Sequence, residues 1–211
     1  SLVQDDPREA SSYRNVAVAT VAKVQDQAKK VNELAQIDRA SEETRAARQA
    51  LADWFAIADE SVRKTIELQP QDAAGYQLAV ELVLQRIDQQ PKALADTNRR
   101  ELMERIAGYL KTNPNNAYLA SAMSDLLESL GGSREGWEQR TIDALTAAVE
   151  HQPRNLYLID QLIVLMQSSN DREVLKWIDS MLELARPLAV EPGGGEIVEL
   201  LQQAKALADQ D

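Results

Sequence analysis

In 211 residues the sequence has no cysteine, one histidine and one phenylalanine. Without cysteine there is no disulfide, no thiolate metal site and no cysteine nucleophile, although the compartment stays open. A lone histidine, His151, leaves no spare orienter for a His-based triad and no multi-histidine metal site. Glycine and proline are scarce, at eight and seven. Runs of β-branched and aromatic residues, which strands need, are missing too, so helices are expected throughout. No apolar stretch approaches the roughly 20 residues of a membrane helix, so a soluble chain is expected. No signal peptide stands at the start, yet the first residue is Ser, which leaves room for a removed upstream segment and for either a cytoplasmic or an extracytoplasmic setting.

What is present is acid. The formal charge is −11, while residues 1–50 carry eight acidic and eight basic side chains. The whole excess therefore lies in 51–211. Such a chain repels phosphate backbones and anionic lipid, which argues against nucleic acid and against membrane insertion or surfaces as partners. A protein or peptide partner should be basic, unless the charge serves solubility alone.

Three segments repeat one pattern: Ile66–Asp72, Leu110–Asn116 and Val149–Asn155. Each has an apolar residue four before a proline (Pro70, Pro114, Pro153) and Asp or Asn two after it. The proline pushes its predecessor out of the helical region and so ends one helix. The Asp or Asn then offers an oxygen to the free N–H groups of the next. One turn further from each proline stand Val62, Ile106 and Leu145, and on the far side Ala79/Val83, Met123/Leu127 and Leu162/Met166. These are the i, i+4 stripes of consecutive amphipathic helices. A fourth copy is expected at the start, with Val3, Pro7, Glu9 and Tyr13 as counterparts, so that the chain would open on the tail of a helix cut from a longer array.

The pattern predicts helices over 10–37, 41–68, 73–89, 98–112, 116–130, 134–151, 155–168, 171–186 and 196–208. Asn98 with Glu101 and Asn170 with Glu173 have capping-box spacing. Gly131-Gly132 and Gly193-Gly194-Gly195 read as breaks. The last helix gathers Ile197, Leu200, Leu201, Ala204 and Leu207 on one face. Three parts are expected: 1–70, a long hairpin after a truncated repeat; 71–192, the repeated hairpins; 193–211, a linker and capping helix.

These residues resemble the tetratricopeptide repeat family, whose helix–turn–helix unit has large and small apolar residues at fixed places and a closing proline. The resemblance implies an all-α chain of antiparallel hairpins stacked as an α-solenoid that binds proteins or peptides along a concave face. The sequence departs from the family in its spacings of 44 and 39 residues between prolines. It departs again in the bulky Val80 and Ile163 where a small residue is usual. Around Pro187 the places expected to be apolar hold Asp179 and Glu183, so the register there has slipped or the repeat has degenerated.

Catalytic chemistry is hard to find in this sequence. No Glu has a His three residues on, as a di-iron bundle would need. Glu42 and Glu43 open a helix, where acids suit the dipole. The glycine triplet follows no strand and precedes no Lys-Ser or Lys-Thr, so it is no phosphate loop. Trp54, Trp137 and Trp177 read as packing residues. No enzyme activity and no cofactor are expected. The resemblance instead places first-helix residues four, seven, eleven and fourteen after each proline on the concave face. Ser11, Arg14, Val18 and Val21 come first, then Ala74, Gln77, Glu81 and Leu84. Tyr118, Ser121, Asp125 and Glu128 follow, then Tyr157, Asp160, Val164 and Gln167. The candidate partner-binding set is Gln77, Glu81, Tyr118, Ser121, Asp125, Glu128, Tyr157 and Asp160. The expected function is a non-catalytic scaffold. The alternative is a structural spacer or self-assembly segment joined to other domains of a longer chain.

Overall fold

The computed structural model describes residues 7–86, 92–130, 134, 136–168, 174–186 and 194–208. Among these residues every regular element is a helix: α1 (Pro7–Ile37), α2 (Glu42–Leu68), α3 (Ala73–Gln85), α4 (Lys92–Leu110), α5 (Ala117–Ser129), α6 (Trp137–His151), α7 (Leu156–Ser168), α8 (Val174–Ala185) and α9 (Gly194–Ala208). None is long and apolar enough to cross a membrane. Contacts divide the chain into two compact units, Ser1–Glu104 and Arg105–Asp211, with the division inside α4. The division expected at 70/71 instead falls between α2 and α3, which pack together.

The three proline junctions are built alike. Gln69 and Gln152, each before its proline, have φ, ψ of −135°, 66° and −134°, 64°. In each junction a backbone N–H two after the proline donates to the carbonyl before it: Asp72 to Gln69 at 3.0 Å, Asn116 to Asn113 at 3.1 Å, and Asn155 to Gln152 at 3.0 Å. Proline, with φ preset, occupies the second position of each turn. The same Asp72, Asn116 and Asn155 then cap the next helix, accepting from Ala74 at 3.0 Å, Leu119 at 3.0 Å and Leu158 at 3.4 Å. The opening copy differs. Pro7 is the first residue of α1 rather than the close of a helix, a place that suits a residue with no N–H to offer; Val3 lies outside the described residues.

In unit 1, α1 packs along α2, and α3 packs on both. The α1–α2 pair is long, α1 reaching about 46 Å at the usual rise per residue. One buried series on each helix steps by seven: Ala10, Ala17, Val24 and Val31 on α1, and Thr44, Leu51, Ala58 and Thr65 on α2. A seven-residue recurrence keeps one seam facing the partner helix, as in a coiled coil. The buried hydroxyls are satisfied locally: Thr20 donates to Val16 O at 2.8 Å, Ser61 to Ile57 O at 2.9 Å and Thr65 to Ser61 O at 2.9 Å. The connection turns on Asp38, and Ser41 caps α2 by accepting from the Thr44 N–H at 3.0 Å.

Unit 2 repeats a local rule: α5 packs on α6, α6 on α7 and α5 on α7, and then α7, α8 and α9 pair in the same way. Ile106, Leu119, Met123, Leu127, Leu145, Leu158 and Leu162 fill its interior. Ile106, Leu145, Met123, Leu127, Leu162 and Met166 are buried, as the stripes require. In α3, however, Tyr76, Val80 and Leu82 are buried, whereas Ala79 and Val83 are only half-buried.

Other boundaries differ from the sequence expectation. Asn98 is no cap, because α4 already starts at Lys92 and Asn98 lies in its interior; Asn170 and Glu173 lie outside the described residues. Gly194 and Gly195 belong to the first turn of α9 and are not linker. In α8, Ile178 and Leu182 are buried while Asp179 and Glu183 are exposed, so the register has slipped by one residue. Asp179 instead pairs with Lys205 of α9, and Glu183 with Arg186 at 2.6 Å. Leu201 is fully buried, whereas the side chains of Ile197, Ala204 and Leu207 lie outside the described set.

Candidate functional site

In unit 2 the first helices α5 and α7 lie side by side, and each is positioned by its own proline turn and Asn cap. Their outward stripe carries Tyr118 and Tyr157, 46% and 58% exposed, together with Val164 at 58%. Glu128 and Asp160 are exposed and Asp125 is half-buried. Ser121 is buried at 8% and lies beneath this surface rather than on it. Gln167 lies outside the residues whose side chains are described.

Gln161 ties the two helices together. Its Nε2 donates to Asp125 Oδ1 at 3.4 Å and to the Tyr157 hydroxyl at 3.1 Å. Its Oε1 is buried with no hydrogen-bond partner. Burial first, and then the charge of Glu128, push the Asp125 carboxyl above its ordinary value, while the Gln161 hydrogen bond opposes them. None of Asp125, Glu128 and Asp160 has an ion-pair partner among the described residues. The face therefore combines uncompensated negative charge with two exposed rings. Gln161 escaped the stripe arithmetic because it falls eight residues after Pro153, between the expected positions. Its spacing of four from Tyr157 was the available signal.

The corresponding stripe of unit 1 is more engaged. Arg14 of α1 pairs with Asp72 at 3.3 Å. Glu81 accepts weakly from Gln25 at 3.5 Å. Gln77 is half-buried, Val18 is exposed and Val21 is buried. Glu81 thus belongs to the α1–α3 contact, whereas Tyr118, Asp125, Glu128, Tyr157 and Asp160 lie on α5 and α7.

The remaining candidates lie on helices other than α5 and α7. His151 stands exposed in the last turn of α6, with Nδ1 at 2.8 Å from the Ala147 carbonyl. Trp137 opens α6 after Gly136, whose φ of 77° suits glycine, and Arg140 covers its ring at 4.8 Å. Trp54 is half-buried in α2, and the Trp177 side chain lies outside the described set. Glu42 and Glu43 occupy the first turn of α2. Among the described residues no three His, Cys, Asp or Glu side chains gather in a way that could hold a metal ion.

No protein-family model matches the chain, and no curated protein or solved structure matches it significantly.

Proposed function

We propose that the chain is a tetratricopeptide-like, non-catalytic binding module whose hairpins stack as a solenoid and whose α5–α7 face takes a basic protein or peptide segment. The family reading is supported by the three matching proline turns with their Asp or Asn caps, and by first helices that pack on the next first helix within each unit. One observation carries the binding reading. Asp125, Glu128 and Asp160 stand without cationic partners beside the exposed rings of Tyr118 and Tyr157. Tyrosine gives rigid contact area with a polar tip, which interfaces favour. Exposed charge pairs are each worth only about 0–1 kcal/mol, so the acids steer and select while the rings hold.

The test is a titration with a synthetic peptide that interleaves Lys and Arg with Leu, at two salt concentrations. Affinity should fall as salt rises. Replacing both tyrosines by Ala should weaken binding more than Asp160→Asn does. Equal binding by the double variant would leave the spacer reading as the better account.

A further inference from the structure

A second surface lies in unit 1, and it has the opposite charge character. The seat of α3 on the α1–α2 pair is marked by three contacts: Arg14–Asp72, Gln25–Glu81 and Asp59–Arg86. Arg86 also covers the Phe55 ring at 4.5 Å. There α3 stops. Beyond Gln25, α1 continues for twelve residues to Ile37, about 18 Å or three turns, and α2 runs alongside it. The stripes that carried Gln25 and Asp59 continue as Ala28 and Ala35 on α1 and as Ala56 and Ala52 on α2. With the largely buried Val31 and Phe55 they line a cleft of about 1230 Å³.

We infer that this cleft docks an amphipathic helix with acidic flanks, supplied by a partner protein. The shape argument is the fold's own precedent, since the same two-helix groove already seats α3. The alanines keep the floor low, and a helix laid in an apolar groove is a recurrent mode of recognition. Charge fixes the chemistry. Lys29, Arg39 and Arg48 line the cleft, are exposed, and have no ion-pair partner among the described residues. Against them stands Glu33, since Asp59 is engaged by Arg86. In a chain of net charge −11, three uncompensated cations beside the alanines of this groove select carboxylates. Gln85, at the end where α3 stops, has a buried side-chain oxygen with no partner.

This site is independent of the α5–α7 face, and one experiment separates them. A fluorescent peptide of about four helical turns, with a Leu stripe flanked by Glu, is titrated against the full chain by anisotropy. Two controls accompany it: the same stripe flanked by Lys, and the Glu peptide with its stripe scrambled. The Glu-flanked helix should bind saturably, and both controls should bind at least about tenfold more weakly. Arg48→Glu and Ala52→Glu each put a carboxylate on the cleft and should weaken binding by about tenfold, as like charges across an interface do. Both positions are exposed, and thermal melts check that the fold is kept, with Lys29→Glu as a further variant. The Tyr118→Ala/Tyr157→Ala double variant should bind the Glu peptide like the parent. Absence of saturable binding, equal binding of the Lys peptide, or indifference to the cleft variants would overturn the proposal. So would self-association of the chain that these same variants abolish, because the occupant would then be a second copy.

Discussion

The α1–α2 pair and the helices after Arg105 solve the same packing problem with different side chains. Of the twelve largest fully buried side chains among the described residues, ten lie in unit 2 and Leu51 and Met103 in unit 1. Along the α1–α2 pair, Val24, Val31, Phe55, Val62 and Ile66 are buried together with Ala10, Ala17, Ala47 and Ala58 and the hydroxyls of Thr20, Thr44, Ser61 and Thr65. Small residues bury little apolar area each, so stability has to be gathered over many turns, and α1 and α2 are long. In unit 2 the helices are short and each turn contributes a Leu, Ile or Met. Helix length and side-chain volume substitute for one another.

Cavity formation should separate the units most strongly. Ile106→Ala or Leu145→Ala, at fully buried sites in unit 2, should cost about 2–5 kcal/mol in denaturant melts. In unit 1 the sensitive direction is reversed. Ala17 and Ala58 are fully buried in the seam, and enlarging either to Leu should cost about 1–3 kcal/mol by forcing the helices apart. If Leu is tolerated there, the seam is looser than these burials indicate.

A pair of glycines sharpens the contrast. A Cβ added at Gly75 would stand 2.8 Å from Ile66 Cγ1, whereas one at Gly108 would meet nothing within 4 Å. Gly108→Ala should therefore stabilise by about 1 kcal/mol through helix propensity. Gly75→Ala should lose that gain to the clash and come out destabilising, since α2 and α3 meet closely there. The sister positions, five after the later prolines, hold Leu119 and Leu158, both fully buried. The smallest effect concerns charge. Because the folded pKa of Asp125 is raised, its contribution to stability is fully present below the unfolded pKa and is lost as pH rises through the folded one. Asp125→Asn should thus raise the melting temperature at neutral pH. The advantage should shrink as pH falls toward the ordinary carboxylate range near 3.9. A constant difference across that range would mean that the carboxyl is not desolvated.

Much of this was legible. The proline turns with their Asp and Asn caps are local chemistry, and all three form as the residues at those places require. The stripes of α5, α6 and α7 were readable because large aliphatic residues mark a buried face unambiguously. The α1–α2 seam was harder to see, because Ala and Thr occur as readily on exposed faces and their seven-residue recurrence carries no hydrophobic contrast. Asn98 misled because a cap signal is weak when the helix can start earlier, in this case at Lys92.

The candidate face was legible as a set of positions but not as a surface. Counting from the prolines brought Tyr118, Asp125, Glu128, Tyr157 and Asp160 onto one stripe. It could not reveal that Ser121 is covered, or that Gln161 joins Asp125 to Tyr157. The cleft between α1 and α2 could not be counted at all.

The sequence by itself determined the helical class, the turns and the sign of the charge, since propensity, proline stereochemistry and ionisation act within a few residues. Only the tertiary structure decided where α3 ends along its seat, which acids keep no partner, and which cations are left around the open groove. Those outcomes depend on residues far apart in the chain, and on how far each helix extends past its neighbour.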